Sequence, residues 1–154
     1  MPATRSDADI VNDAIARFEP ALARKIRGVR AALRKRFPTA YELVYDNYNF
    51  FVIGYCASEK PSTCVVSLAA DRNGVGLAFY RGASLPDPLG LLQGGGQQNR
   101  FIRLTEGAQT LARPEVVALV DVAERLAPVA MRASGRVVTV LRSVSVKQRP
   151  RRFV

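Results

Sequence analysis

The residues best suited to chemistry lie between Gly82 and Arg103. Three consecutive glycines, Gly94, Gly95 and Gly96, run into Gln97, Gln98, Asn99, Arg100 and Arg103. Glycine backbone can turn several N–H groups toward one point and cradle an anion, and a nearby guanidinium adds charge-assisted hydrogen bonds. The pattern lacks the Gly-Lys-Ser/Thr ending of a P-loop and does not match the dinucleotide fingerprint. The same glycines also suit a plainer purpose, a tight turn before a strand. Asp87 sits between Pro86 and Pro88, which holds its backbone extended. Its carboxylate is placed to orient a ligand or to cap the turn that follows.

The rest of the chain offers less. It contains no histidine, which excludes Ser-His-Asp and Cys-His catalysis, the HExxH metalloprotease site and every His-ligated metal centre. Glu42 and Asp46 are four residues apart and would share one face of a helix among tyrosines. One such pair is thin ground for general acid–base work. A carboxylate metal site would need more acids than this region holds, so no metal and no cofactor is expected. Catalysis is the least supported class.

Charge is placed unevenly. The net charge is +10, from 23 Lys and Arg against 13 Asp and Glu. Arg17, Arg24, Lys25, Arg27, Arg30, Arg34, Lys35 and Arg36 crowd one segment with a single acid, Glu19. Arg136, Arg142, Lys147, Arg149, Arg151 and Arg152 crowd the C-terminal stretch with none. Such patches favour phosphates or anionic surfaces through counterion release, and equally make a solvated helix face and a solubilising tail. The aromatics Tyr41, Tyr45, Tyr48, Phe50, Phe51 and Tyr55 would serve as a stacking platform for bases. Core packing is the simpler use for them.

The elements that must position these residues follow from periodicity. Ser6 with Asp7 and Asp9 starts a helix expected to run to about Phe18. Pro20 opens a second helix, whose Leu22, Ile26, Val29, Leu33 and Phe37 share a face, and Pro38 ends it. The spacing of Tyr41, Tyr45 and Tyr48 predicts a helical turn or two over 39–45, with a strand following over 48–56. Alternation predicts strands over 64–70 and 75–79, joined at Asp71-Arg72-Asn73-Gly74, where Asn-Gly would supply positive φ angles. A long glycine- and proline-rich loop over 82–99 precedes a strand over 101–104. Pro114 opens a third long helix that weakens at Pro128, and a valine-rich strand spans 137–146. The predicted fold is α+β: an antiparallel sheet of four or five strands packed against N-terminal helices and a C-terminal helix. Residues 1–135 form the domain, and 136–154 add a strand and a basic tail.

Three blocks carry a family resemblance: Tyr45-Asp46-Asn47-Tyr48-Asn49-Phe50, Gly74-Val75-Gly76-Leu77-Ala78-Phe79, and Gly82-Ala83-Ser84-Leu85-Pro86-Asp87-Pro88 with Leu91 to Gly96 and Arg100. Through them residues 37–127 resemble the YdhG-like family, bacterial domains of unassigned role. The resemblance implies an α+β domain with an antiparallel sheet on helices. One branch is described as a frataxin-like intracellular iron carrier, which implies an acidic iron-binding surface. This chain departs from that branch: it is basic, its acids are dispersed, and it has no histidine.

The leading expectation is a non-enzymatic module that binds a small anionic ligand beside the 82–103 loop. Gly94, Gly95 and Gly96 would donate backbone N–H groups, Arg100 and Arg103 would pair charge, and Asp87 and Tyr48 would orient the ligand. An alternative is nucleic-acid or anionic-surface binding through Arg24, Arg27, Arg34 and Lys35 on the second helix and Arg149, Arg151 and Arg152 in the tail. Iron carriage is a third, on the resemblance alone. No opening of the signal-peptide kind and no apolar run of about 20 residues is visible, so the expected location is cytoplasmic, with Cys56 and Cys64 as buried free thiols. The last strand has the character of an exposed edge and could pair with its twin in a homodimer.

Overall fold

The computed structural model describes residues 4–153; Val154, the last residue of the tail, lies outside them. Helix α1 spans Asp7–Ala16, and the Ser6 side chain accepts the Asp9 N–H at 3.1 Å, as its capping signature predicts. The helix ends at Ala16, short of Phe18, and Pro20 holds Glu19 in extended backbone before the next helix begins. Phe18 is buried instead, edge-on to Phe51 with centroids 6.3 Å apart. Helix α2 spans Pro20–Arg36 and buries Ala23, Ile26, Val29 and Leu33.

Residues 41–46 correct the predicted helical turn: Tyr41–Asp46 is a strand, β1. Spacing of four suits either structure, since four is close to one helical turn and is also two strand repeats. Pro38 behind the segment and the run Tyr41, Leu43, Val44 and Tyr45 favour extended backbone. Glu42, Val44 and Asp46 then face the helices, while Tyr41 and Tyr45 pack with Leu43 on the other face.

The other strands are β2 (Phe51–Cys56), β3 (Cys64–Asp71), β4 (Gly74–Phe79), β5 (Arg100–Arg103) and β6 (Val138–Val144). The fold is α+β, and the sheet has six strands where four or five were expected, in the order β5-β4-β3-β2-β1-β6. Every pairing is antiparallel except β1 with β6, which is parallel and leaves β6 at one edge. Helices α3 (Ala108–Leu111) and α4 (Pro114–Leu126) complete the helical layer.

Two local details differ from expectation. The β3–β4 turn uses Arg72 and Asn73, and the Asp71 carboxylate accepts the Asn73 N–H at 2.9 Å; only Gly74 has a positive φ. In β3 an irregularity beside Tyr55 inserts Val65 between two residues paired to β2, so Val65 and Val66 both turn inward. Cys64 thereby lands on the outer face opposite Cys56, where both are buried free thiols packed on Leu43.

The C-terminal stretch is not a solvated tail. Arg151 is only 4% exposed, and its guanidinium bonds the Asp46 carboxylate at 3.1 Å and the Asn47 and Asn49 carbonyls at 2.6 and 3.0 Å. Arg17 holds the other Asp46 oxygen. Arg152 donates to the carbonyls of Ala16 and Arg17, closing the C-terminus of α1. Removing one cation from a buried carboxylate, and its bonds to two carbonyls with it, costs about 3 kcal/mol even where a second, more exposed cation stays. Arg151→Ala is therefore expected to lower the unfolding free energy by about that much, read from urea denaturation. Arg149→Ala, at an exposed residue whose guanidinium lies 5.7 Å from the Tyr48 ring and makes no ion pair among the described residues, should change it far less.

Candidate functional site

All four helices pack on one face of the sheet, and part of the opposite face is left uncovered. Along β3 and β4 the inward residues Val66, Leu68, Ala70, Val75, Leu77 and Phe79 are buried, while Ser67, Ala69, Gly76 and Ala78 point outward. These outward residues are small, so they form a low floor. Phe50, Tyr80 and Phe101 rise around it, and the Gln98, Asn99, Asn73 and Asp71 side chains close the ends. The result is a groove of about 720 Å³, within the range of small-molecule sites. The Arg103 guanidinium stands at its rim, 5.7 Å from the centre of the Phe101 ring, and makes no ion pair among the described residues.

The glycine-rich loop builds one wall of this groove. It folds on itself instead of hanging free: Gln93 and Phe101 exchange backbone hydrogen bonds at 2.9 and 3.0 Å, and the Ala83 N–H donates to the Gln98 carbonyl at 2.8 Å. Both oxygens of Asp87 accept backbone N–H groups, from Leu91 at 2.9 Å and Leu92 at 2.8 Å. Arg100 donates to the carbonyls of Gly96 and Asn99. Gly82 is required here, since a Cβ would lie 2.5 Å from that of Arg100. Gly94 has φ +112° and lies against the Phe101 ring, where a side chain would be strained.

Of the residues singled out in the sequence, the structure brings Arg103 to the groove and places the others elsewhere. Gly94, Gly95, Gly96, Arg100 and Asp87 shape the loop behind Phe101. Tyr48 lies outside the groove with Arg149 5.7 Å above its ring. Arg24, Arg27 and Lys35 are exposed on α2, whereas Arg34 bonds Glu42. The groove residues missed from sequence, Ser67, Ala69, Gly76 and Ala78, carried a readable signal: small residues alternating with large apolar ones on adjacent strands.

Glu42 and Asp46 occupy separate buried sites on the helix side. Glu42 is 0% exposed. It accepts Arg30 Nε and Nη2 at 3.1 and 3.0 Å, Arg34 Nη1 at 2.5 Å, the Tyr55 hydroxyl at 2.7 Å and the Thr139 hydroxyl at 2.8 Å. Burial alone would raise its pKa, but the Arg30 bonds and charge, with Tyr55 and Thr139, outweigh burial and hold the carboxyl below its usual range. Burial and the adjacent Glu42 charge push the Tyr55 phenol well up. A carboxylate so fully bonded is a structural anion and has no free lone pair aimed at a substrate. Among the described residues no three His, Cys, Asp or Glu side chains converge on a point, so the iron reading draws no support from geometry. No described helix is long and apolar enough to cross a membrane.

Compared with protein-family models, curated proteins and solved structures, the chain matches none.

The lowered Glu42 pKa has a pH signature. A depressed folded-state value stabilises the fold above the unfolded carboxyl value of about 4.3, and that contribution is lost as pH falls through the lower folded value. The urea midpoint is expected to fall on acidification below about pH 4.3. Glu42→Gln should start less stable and show a shallower acid limb; an acid limb as steep as that of the parent chain would contradict the assignment.

Proposed function

We propose that this chain is a non-enzymatic binding module of the YdhG-like kind, and that its groove takes a small, flat, largely apolar anion. One observation carries the reading: an uncovered sheet face with a floor of small residues, three aromatic walls and one cation without an ion-pair partner. A planar ligand could lie on Ala69, Gly76 and Ala78 with its rings against Phe101 and Tyr80. Its acidic group would meet Arg103 at the rim, where a charge-assisted hydrogen bond is stronger than a neutral one. Ser67, Gln98 and Asn99 supply neutral donors and acceptors to orient it. The loop block that carries the YdhG-like resemblance forms one wall of this groove, which supports joining the two readings. The burial and ion pairing of Glu42 and Asp46, on the face away from the groove, support binding without catalysis.

Anilinonaphthalene sulfonate, an aromatic anion that fluoresces when sheltered from water, is a direct probe. Saturable binding by the full chain is expected. Ala78→Leu should fill the floor and abolish it, and Arg103→Ala should weaken it about tenfold, the loss of one charge-assisted contact. Both positions face outward, so thermal stability should hold. Binding indifferent to both substitutions would remove the groove from consideration.

A further inference from the structure

A second cationic feature lies on the other side of the sheet. Arg27, Arg30 and Arg34 are spaced three and four residues apart, so they share one face of α2. With Ala8 of α1, Ala31 and Thr139 of β6 they line a hollow of about 300 Å³. The one carboxylate they bond is Glu42, which takes two donors of Arg30 and one of Arg34. Arg30 Nη1, the Nε and Nη2 of Arg34, and every side-chain nitrogen of Arg27 bond no protein group among the described residues. Asp7 on α1, next to Ala8, accepts the Leu141 N–H at 3.0 Å through its carboxylate. Three arginines thus line the hollow against one carboxylate, which two of them already bond, and Arg30 is only 14% exposed.

Like charges at this spacing repel, and water screens them poorly where they are partly buried. A tetrahedral oxyanion with two negative charges would balance the excess. Guanidinium forks match its oxygens two at a time, which a lone ammonium does not. We propose that the hollow between α1, α2 and β6 is a binding site for a phosphate group. The site is independent of the groove, which lies on the opposite face and uses Arg103.

The test is an NMR titration of the full chain with inorganic phosphate at constant ionic strength, against chloride. Saturable shifts are expected at the amides of Ala8, Ala31 and Thr139, with none from chloride. Arg27→Ala, at an exposed side chain that bonds nothing, should leave the melting temperature unchanged and raise the phosphate Kd about fivefold to tenfold. Arg103→Ala should leave the Kd as it was, which separates this site from the groove. Two further arms name the source of the phosphate. Glycerol phosphate binding at the same amides, with an oligonucleotide lacking terminal phosphates inert, assigns the site to small phosphomonoesters. Oligonucleotide binding that weakens with salt and with Arg27→Ala assigns it to nucleic-acid backbone. No saturable shift from any of the three at millimolar concentration, or a Kd that Arg27→Ala leaves unchanged, would overturn the proposal.

Discussion

Two carboxylates buried on β1 determine where much of the positive charge must go. Glu42 and Asp46 face the helical layer, where a buried carboxylate is costly unless cations are brought to it. Glu42 draws Arg30 and Arg34 from α2, and Asp46 draws Arg17 from the end of α1 and Arg151 from the C-terminal stretch. Net of desolvation, buried pairs of this kind add little to stability, so their weight falls on arrangement. A one-residue slip of β1 would turn both carboxylates to the outer face and leave the arginines beneath without partners. The same pairs tie the first helix, the second helix and the chain end to one strand. Parallel β6 fits this scheme, because it places Thr139 in register with Glu42 and lets its hydroxyl complete the bonding.

That constraint also changes the meaning of the basic composition. Basic residues that look like one exposed field divide into those consumed by buried acids and those left over. Arg17, Arg30, Arg34 and Arg151 belong to the first group, whereas Arg24, Arg27 and Lys35 belong to the second. The acids involved are separated from these cations by up to 105 residues, so the sequence shows no local sign of the pairing.

What could be read in advance follows the reach of each signal. The apolar stripe of α2, the Ser6 cap and the alternation of β3 and β4 are local patterns, and each element formed where its pattern lay. The 41–46 segment misled because a spacing of four fits a helix turn and a strand alike, and only the surrounding sheet decides between them. The loop over 82–99 was visible as an unusual stretch, but its glycines and its Asp87 could be assigned a role only once Phe101 and the Gln93 bridge were in place. The groove itself belongs to no motif. It arises where the outward halves of β3, β4 and β5 come together, and residues as plain as Ala69 and Ala78 acquire significance there by being small.

The two faces of the sheet consequently play unequal parts. The helix side is committed to a dense core and two buried, paired carboxylates, and it keeps surplus charge along the α2 face beside β6. The outer side needs no such commitment over β3 to β5, since an antiparallel sheet tolerates one solvated face. Large apolar residues there would invite association, and small ones avoid it while leaving a concave surface. A groove with a low floor and aromatic walls is therefore compatible with a stable isolated domain. Arg103 stands at its rim with no carboxylate to consume it, in a chain where buried carboxylates consume four of the other arginines.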